Sequence, residues 1–346
     1  MDEPRAGIRP LGLLLAFVMG AWTLSGCATS QLSGQDWRQY KQRFITGDGR
    51  VHDTAHGGNT HSEAQGFGML LAEGFGDRAT FDAIWSWTRR HMQIRGKDHL
   101  LAWNWSEQQG RVSDRNNATD GDMLVAWALL RAADRWPDGD YQKPARALLN
   151  DIRRILIVGN PPVLLPGAYG FEDARRGRRL NLSYWIFPAL KDFSRRFPEQ
   201  KEWRRLYASG LELVRKARYG RWSLAPDWLW LRHGRLRPDG SPPMFSFDAM
   251  RVPLYLAWAG ERKELKPYAR FWSEFNWIEV GPERVNLESD WVRLGGQFQG
   301  ARAIDALVRR ALGDKGAPPA IPWRNIHYYE ASLCLLARLA QNELPR

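Results

Sequence analysis

Three stretches of this chain carry carboxylates in settings that chemistry could use. "HSEAQGFGM" (61–69) brings Glu63, "NNATDGDML" (116–124) brings Asp120 and Asp122, and "MFSFDAMRVP" (244–253) brings Asp248. Each acid stands at or near the start of an apolar helical pattern. Taken singly, each reads as well as a cap or a partner of the helix dipole, because carboxylates are favoured at helix starts for that reason alone. As a set they suggest more. If the helices begin at the same end of a bundle, the acids converge on one cleft. Convergent carboxylates among aromatic side chains suit glycoside hydrolysis, where one protonated acid serves the leaving oxygen and a second activates water or attacks the anomeric carbon. Gly66 and Gly68 each cost a helix roughly 1 kcal/mol relative to Ala. The expectation is that they clear space for a sugar chain close to the backbone.

The elements that must position these acids are mostly helices. Apolar residues recur three and four apart over 78–92, 122–136, 141–156, 185–197, 202–217, 247–260, 266–275, 296–312 and 328–341, the period of an amphipathic helix. Pro188, Pro253 and Pro267 are expected near helix starts or in first turns, where proline is tolerated. Strand signals are few. "GRWSLAPDWLWLRHGRL" (220–236) alternates aromatics and suggests a small β-hairpin beside the site. About ten to twelve helices in one all-α domain point to helical hairpins arranged in a ring.

Composition narrows the partners. The 346 residues are 44% hydrophobic and 25% charged, which is globular rather than disordered. Eighteen Trp supply either core or surfaces on which a pyranose ring can stack. The formal charge is +12, but the basic residues are interspersed with acids and form no run of five, which disfavours nucleic acid. The densest cluster, "ARRGRR" (174–179), reads as a solvated loop, with a partner or anionic lipid as the alternative.

The N-terminus has Arg5 and Arg9, an apolar run from Leu11 to Leu24, then "LSGC" ending at Cys27. The run is short for a membrane span and has the layout of a signal peptide. Ser25 and Gly26 before Cys27 resemble a bacterial lipobox, and Ala28 resembles the outer-membrane sorting signal. The expectation is a signal peptide over 1–26, lipidation at Cys27, a tether over 27–35 and one catalytic domain over 36–346. This places the protein in the periplasm, anchored by lipid to the outer membrane. An ordinary cleaved signal is the alternative. Cys334, in the apolar run 331–340, then reads as a buried structural thiol.

The chain resembles glycoside hydrolase family 8, the endoglucanases of (α/α)6-barrel fold, over roughly residues 36 to 341. "ATDGDMLVAWALLRAADRW" (118–136) is similar to the family signature, with Ala126, Ala132 and Trp136 in step and Val125 as a mild departure. "SEAQGFGM" is similar to a second family segment, with Ala64 for Gly and Phe67 for Tyr, and "FDAMRVP" to a third. Together with the export signal, these motifs resemble the group of family members encoded beside bacterial cellulose synthases. The resemblance implies Glu63 as general acid, Asp248 as general base of an inverting mechanism, and Asp120 as the group that holds the distorted sugar. It implies that Tyr184 in "NLSYW" helps place the water.

Arg251, three residues past Asp248, shares its helical face and should orient it. Trp103 and Trp105 in "LAWNW" are candidate stacking platforms, with packing as the alternative. Glu63 must keep its proton near neutral pH, so burial or a neighbouring charge such as Asp120 must raise its pKa. An inverting Glu63–Asp248 pair should stand roughly 6.5 to 9.5 Å apart. No cofactor or metal is expected. "HDTAHGGNTH" (52–61) gathers three His, but in a Gly-rich loop rather than on one helix face, and His61 reads as a hydrogen-bonding loop residue. The expected activity is endo-β-1,4-glucanase, by a monomer, on a β-1,4-glucan chain during cellulose synthesis or export, with a synthase complex as partner. The alternatives are a non-catalytic polysaccharide-guiding lipoprotein and a hydrolase of chitosan, xylan or mixed-linkage glucan.

Overall fold

A computed structural model describes residues 32–277, 280–314 and 316–344. The signal segment, Cys27 and most of the expected tether lie outside the described residues. Eleven α-helices are found among those described: α1 (Gly34–Phe44), α2 (Ser62–Gly74), α3 (Arg78–His91), α4 (Thr119–Arg135), α5 (Gln142–Asp151), α6 (Phe187–Arg196), α7 (Lys201–Lys216), α8 (Arg251–Ala259), α9 (Arg262–Trp272), α10 (Gln299–Leu312) and α11 (Tyr328–Glu343). α1 begins inside the stretch expected as tether, because Ser33 caps it by accepting from the Asp36 amide.

The helices form two layers. α2, α4, α6, α8, α10 and α11 pack side by side around a closed inner ring, while α3, α5, α7 and α9 each pack outside an inner partner and α1 rests on α11. Burial follows this division. Every residue of α8 is buried, as is nearly all of α2, whereas α7 buries one stripe: Trp203, Leu206, Ser209, Gly210, Leu213 and Val214. A helix apolar all round belongs inside, which places α2, α4, α8 and α11; α6 and α10 bury one stripe, as the outer helices do, and join the inner ring through their neighbours. Pro267 is a correction: it lies in the interior of α9, not in its first turn. The carbonyl left without an amide partner is that of Lys263, on the exposed side of this outer helix, where water can reach it.

Among the described residues twelve short strands decorate the ring, more than the sequence suggested. β1 (Thr60–His61), β2 (Asn104–Ser106) and β3 (Arg111–Asp114) form one sheet, and β4 (Ile157–Val158) pairs with β5 (Val163–Leu164). β6 (Glu172–Asp173), β7 (Gly177–Leu180), β8 (Leu229–Arg232) and β9 (Arg235–Pro238) form a four-stranded antiparallel sheet. β10 (Met244–Phe245), β11 (Gly281–Asn286) and β12 (Val292–Gly295) form the last. The expected hairpin is β8–β9, turned by His233 and Gly234, whose φ values of 47° and 75° suit the tight two-residue turn of a hairpin. Cys334 is buried, with its thiol against the Gln299 carbonyl at 3.3 Å.

Candidate active site

Glu63 is the second residue of α2 and Asp120 the second of α4. Neither caps its helix. The cap positions are His61 and Ala118, and neither supplies a side-chain hydrogen bond. The two helix starts meet because the helices touch almost backbone to backbone. A Cβ on Gly121 would fall 2.1 Å from Ser62 Oγ, one on Gly66 2.5 Å from Leu124 Cβ, and one on Gly68 2.7 Å from Val51 Cγ2. This corrects the reading of Gly66 and Gly68 as room for a sugar. Both are consumed by packing: Gly66, with Gly121, lets α2 and α4 close up and bring the two acids together, while Gly68 lies against Val51 and Ile84.

Asp248 stands in the turn ahead of α8, and its carbonyl accepts from the Arg251 amide at 3.1 Å. From the first position of α8 the Arg251 side chain reaches all three acids. Nη1 donates to Glu63 Oε2 and, at 2.8 Å, to Asp120 Oδ2, while Nη2 donates to Asp248 Oδ1 at 2.6 Å. Arg251 and Asp120 are each 2% exposed, whereas the side chains of Glu63 and Asp248 are 18% and 31% exposed. One cation thus faces three carboxyls, of which Glu63 and Asp248 open toward solvent. Burial raises the Glu63 pKa well above the usual carboxylate range. The charges of Asp120 and Asp248 raise it further, while Arg251 opposes them. Burial and the excess of acid thus favour the protonated form of Glu63. Sharing one planar guanidinium keeps the facing oxygens of Glu63 and Asp248 within about 7 Å of each other.

Two neighbouring residues fasten Asp248 from the other side. The Trp228 indole donates to Asp248 Oδ2 at 3.0 Å. Asp227 accepts from the Ser246 amide at 2.9 Å, the Ala249 amide at 2.8 Å and the Ser246 hydroxyl, and so clasps the turn that carries Asp248. Burial, then the charge of Asp248, pushes Asp227 up to about 6. Trp228 is itself held. Phe171 stacks parallel to it at 6.0 Å, and the Arg179 guanidinium lies 4.3 Å above its ring. Arg179 therefore supports the site wall, so "ARRGRR" is more than a solvated loop.

Tyr184, at the end of the short turn Leu182–Tyr184, lies with its ring 5.8 Å from the Arg251 guanidinium and edge-on to Trp228. Burial, then Asp120 and Asp248, raises its hydroxyl pKa well above the ordinary tyrosine value, so it stays neutral. Tyr329 is the second residue of α11, the same offset that Glu63 and Asp120 occupy. Its hydroxyl donates to the Phe247 carbonyl at 2.6 Å, and burial with Glu63 and Asp248 nearby keeps it protonated.

The two candidate platforms divide. Trp103 is half-exposed, stacked on His61 at 5.6 Å and anchored by its indole to Asp114 at 2.7 Å, next to the residue that opens α2. Trp105 packs edge-on against Trp87 under the Arg50 guanidinium, so packing is its role. Asp122 is not in the cluster. It accepts from the Leu101 amide and Asn117 Nδ2, both at 2.7 Å, and so ties down the segment that presents Trp103; burial pushes it up to about 7. The three loop histidines part company. His52 meets the Arg43 carbonyl, His56 pairs with Asp53, and His61 lies against Trp103.

The sequence reading brought Glu63, Asp120, Asp248, Arg251 and Tyr184 to one place. It missed Asp227, Trp228 and Tyr329. Trp228 stood inside the stretch read as a hairpin. Tyr329 was readable from its offset at the head of an inner helix. Asp227 carried no signal, because its role lies in the fold of a turn nineteen or more residues away.

The chain and its fold are similar to known proteins. The model of "Glycosyl hydrolases family 8" matches residues 1–315. A probable endoglucanase of Novacetimonas hansenii is 36% identical over 326 residues, covering 89% of this chain and 91% of that protein. The crystal structure of the endoglucanase Cel10 from Klebsiella pneumoniae superposes with a TM-score of 0.83 at 35% identity, covering 89% of this chain and 99% of that one. The endo-β-1,4-glucanase CMCax of Acetobacter xylinum gives 0.81 at 36% identity, covering 89% and 97%. With a closed ring of helical hairpins and three acids at its inner-helix starts, the chain belongs to glycoside hydrolase family 8 and is an (α/α)6 barrel.

Proposed function

We propose that this glycoside hydrolase is an endo-β-1,4-glucanase that cleaves β-1,4-glucan with inversion. The observation that carries the reading is the sharing of one buried arginine by three carboxyls, which leaves Glu63 protonated. Glu63 gives its proton to the glycosidic oxygen as the C1–O bond breaks. Asp248, turned by Arg251 and Trp228, takes a proton from the water that attacks C1 from the opposite face. Asp120 lies against the same guanidinium and faces the sugar at the cleavage point, where its charge favours the oxocarbenium-like transition state. Tyr184, neutral and beside both acids, is placed to hold the water. Trp103 offers a stacking surface beside the acid.

The setting belongs to the proposal. The signal-like N-terminus and the Cys27 lipobox support an exported monomer tethered to the outer membrane, acting on glucan made by a cellulose synthase complex. The test is reducing-end release from carboxymethyl cellulose by the form that starts after Cys27, followed by NMR of the products from cellohexaose. Inversion gives the α-anomer first. A β-anomer first would contradict the assignment of Asp248 as base, and turnover confined to chitosan or xylan would contradict the substrate.

A further inference from the structure

The sheet β6–β9 presents two unlike faces. Side chains alternate along a strand, and directly paired residues of neighbouring strands share a face. Arg179 pairs with Trp230, which pairs with Arg237, while Arg232 pairs with Arg235. These residues therefore stand on one face, and Leu229, Leu231 and Leu236 stand on the other, turned to the barrel. The Asp239 amide donates to the Trp228 carbonyl at 2.8 Å, which extends the ladder by one step. Trp228, two residues before Trp230, thus shares the outer face. That face begins at the indole bound to Asp248 and runs outward to Trp230, over whose ring Arg176 lies at 5.7 Å.

The outer end is strongly basic. Arg175, Arg176, Arg232, Arg235 and Arg237 line a concavity of about 790 Å³ with Trp230. Arg232, Arg235 and Arg237 are exposed; among the described residues none of them is held in a salt bridge, and the one carboxylate whose charge interacts with them is Asp173, beside Arg232. The acid at its edge, Asp239, is engaged by Arg179 at 2.7 Å. Exposed arginines not matched by acids repel one another, and anions relieve that repulsion. A tryptophan among them adds a surface for a sugar ring.

We infer that this face is a second glycan-binding track that favours β-glucan chains bearing anionic substituents, carboxylate or phosphate. The inference rests on the endoglucanase reading and adds the substrate class that the reading leaves open. Continuity with Trp228 favours a polysaccharide over an anionic membrane as the occupant, since a chain leaving the acids meets Trp230 next.

The experiment compares carboxymethyl cellulose with neutral hydroxyethyl cellulose, using the wild type and the Arg232→Ala/Arg235→Ala/Arg237→Ala variant. At low ionic strength the variant should raise KM for the carboxymethyl polymer about tenfold and leave the neutral polymer within about twofold. About 0.5 M NaCl should erase the difference, because exposed charges are then screened. An equal rise on both polymers, or no rise on either, overturns the inference. So does a variant that keeps its carboxymethyl KM but loses co-sedimentation with phosphatidylglycerol vesicles, which would assign the face to a membrane. If the wild type cleaves neither polymer, the endoglucanase reading fails. Affinity electrophoresis in each polymer then still decides the track: retardation by the anionic polymer alone, lost in the variant, supports it, and any other pattern overturns it.

Discussion

The two ends of α2 and α4 carry the same kinds of groups and do opposite things. At their starts, Glu63 and Asp120 join Asp248 around the single cation Arg251. At their far ends, Glu73 of α2 accepts from Arg131 Nε at 2.6 Å and Arg135 Nε at 2.8 Å, both on α4, and Arg131 also pairs with Glu343 of α11 at 2.6 Å. There two carboxylates meet two guanidinium groups, and the charges balance. Glu73 is 4% exposed, while the Glu343 side chain is 33% exposed. The ratio of charges separates the two ends. Balance makes a staple between helices, and excess acid makes a carboxyl that keeps its proton and can give it away.

Substitution should split the two ends by readout. Glu63→Gln removes the proton donor and should lower kcat on carboxymethyl cellulose about 10³-fold. Its effect on stability should have the opposite sign. The folded-state pKa of Glu63 is raised, so above the unfolded value the unfolded chain releases a proton that the folded chain retains, and stability falls as pH rises toward the folded value. Gln has no proton to lose, so the variant's Tm at pH 7 should rise by about 2 °C or more. A Tm below the wild type would show that the carboxyl is structural.

Trp228→Phe keeps the ring and deletes the hydrogen bond to Asp248. A hydrogen bond to a charged group is worth about 1.5–3 kcal/mol, so kcat should fall between about 10-fold and 100-fold with little change in KM. A rise in KM alone would make Trp228 a sugar platform only. Glu73→Gln should do the reverse of Glu63→Gln. Breaking a partly exposed ion-pair cluster costs about 2 kcal/mol, which lowers Tm by about 4 °C, while kcat stays within about twofold. Loss of activity at unchanged Tm would erase the distinction between the ends. Asp120→Asn is the finest probe. It removes a charge that raises the Glu63 pKa, so the alkaline limb of kcat/KM, where activity is lost as Glu63 ionises, should move to lower pH. An unmoved limb would mean that Asp120 acts on the sugar alone.

What the sequence revealed depended on how local the cause was. The helices were legible because their apolar residues recur at helical period, but which of them stand in the inner ring was not, since α6 and α10 carry one stripe just as the outer helices do. Glu63, Asp120 and Asp248 were legible because ordered motifs carry them, and Arg251 because it lies one turn from Asp248. Its bonds to Glu63 and Asp120 were not, since those close across 188 and 131 residues. Gly66 and Gly68 were misread for the same reason: sequence shows that a side chain is missing but not which neighbour fills the space. Strands of two to four residues, such as β1 and β10, are too short to set up an alternation. The wall of the site built from Trp228, Phe171 and Arg179 followed from those strands and stayed hidden with them.

The most direct test is the protonation state of Glu63 itself. Carboxyl-labelled glutamate can be followed by 13C NMR from pH 4 to 9, with Glu63 assigned by the signal missing in Glu63→Gln. Excess acid around one buried arginine predicts that this carboxyl is still protonated at pH 6, when exposed glutamates have ionised. A Glu63 signal that titrates with the exposed glutamates, below pH 5, would contradict its role as the acid.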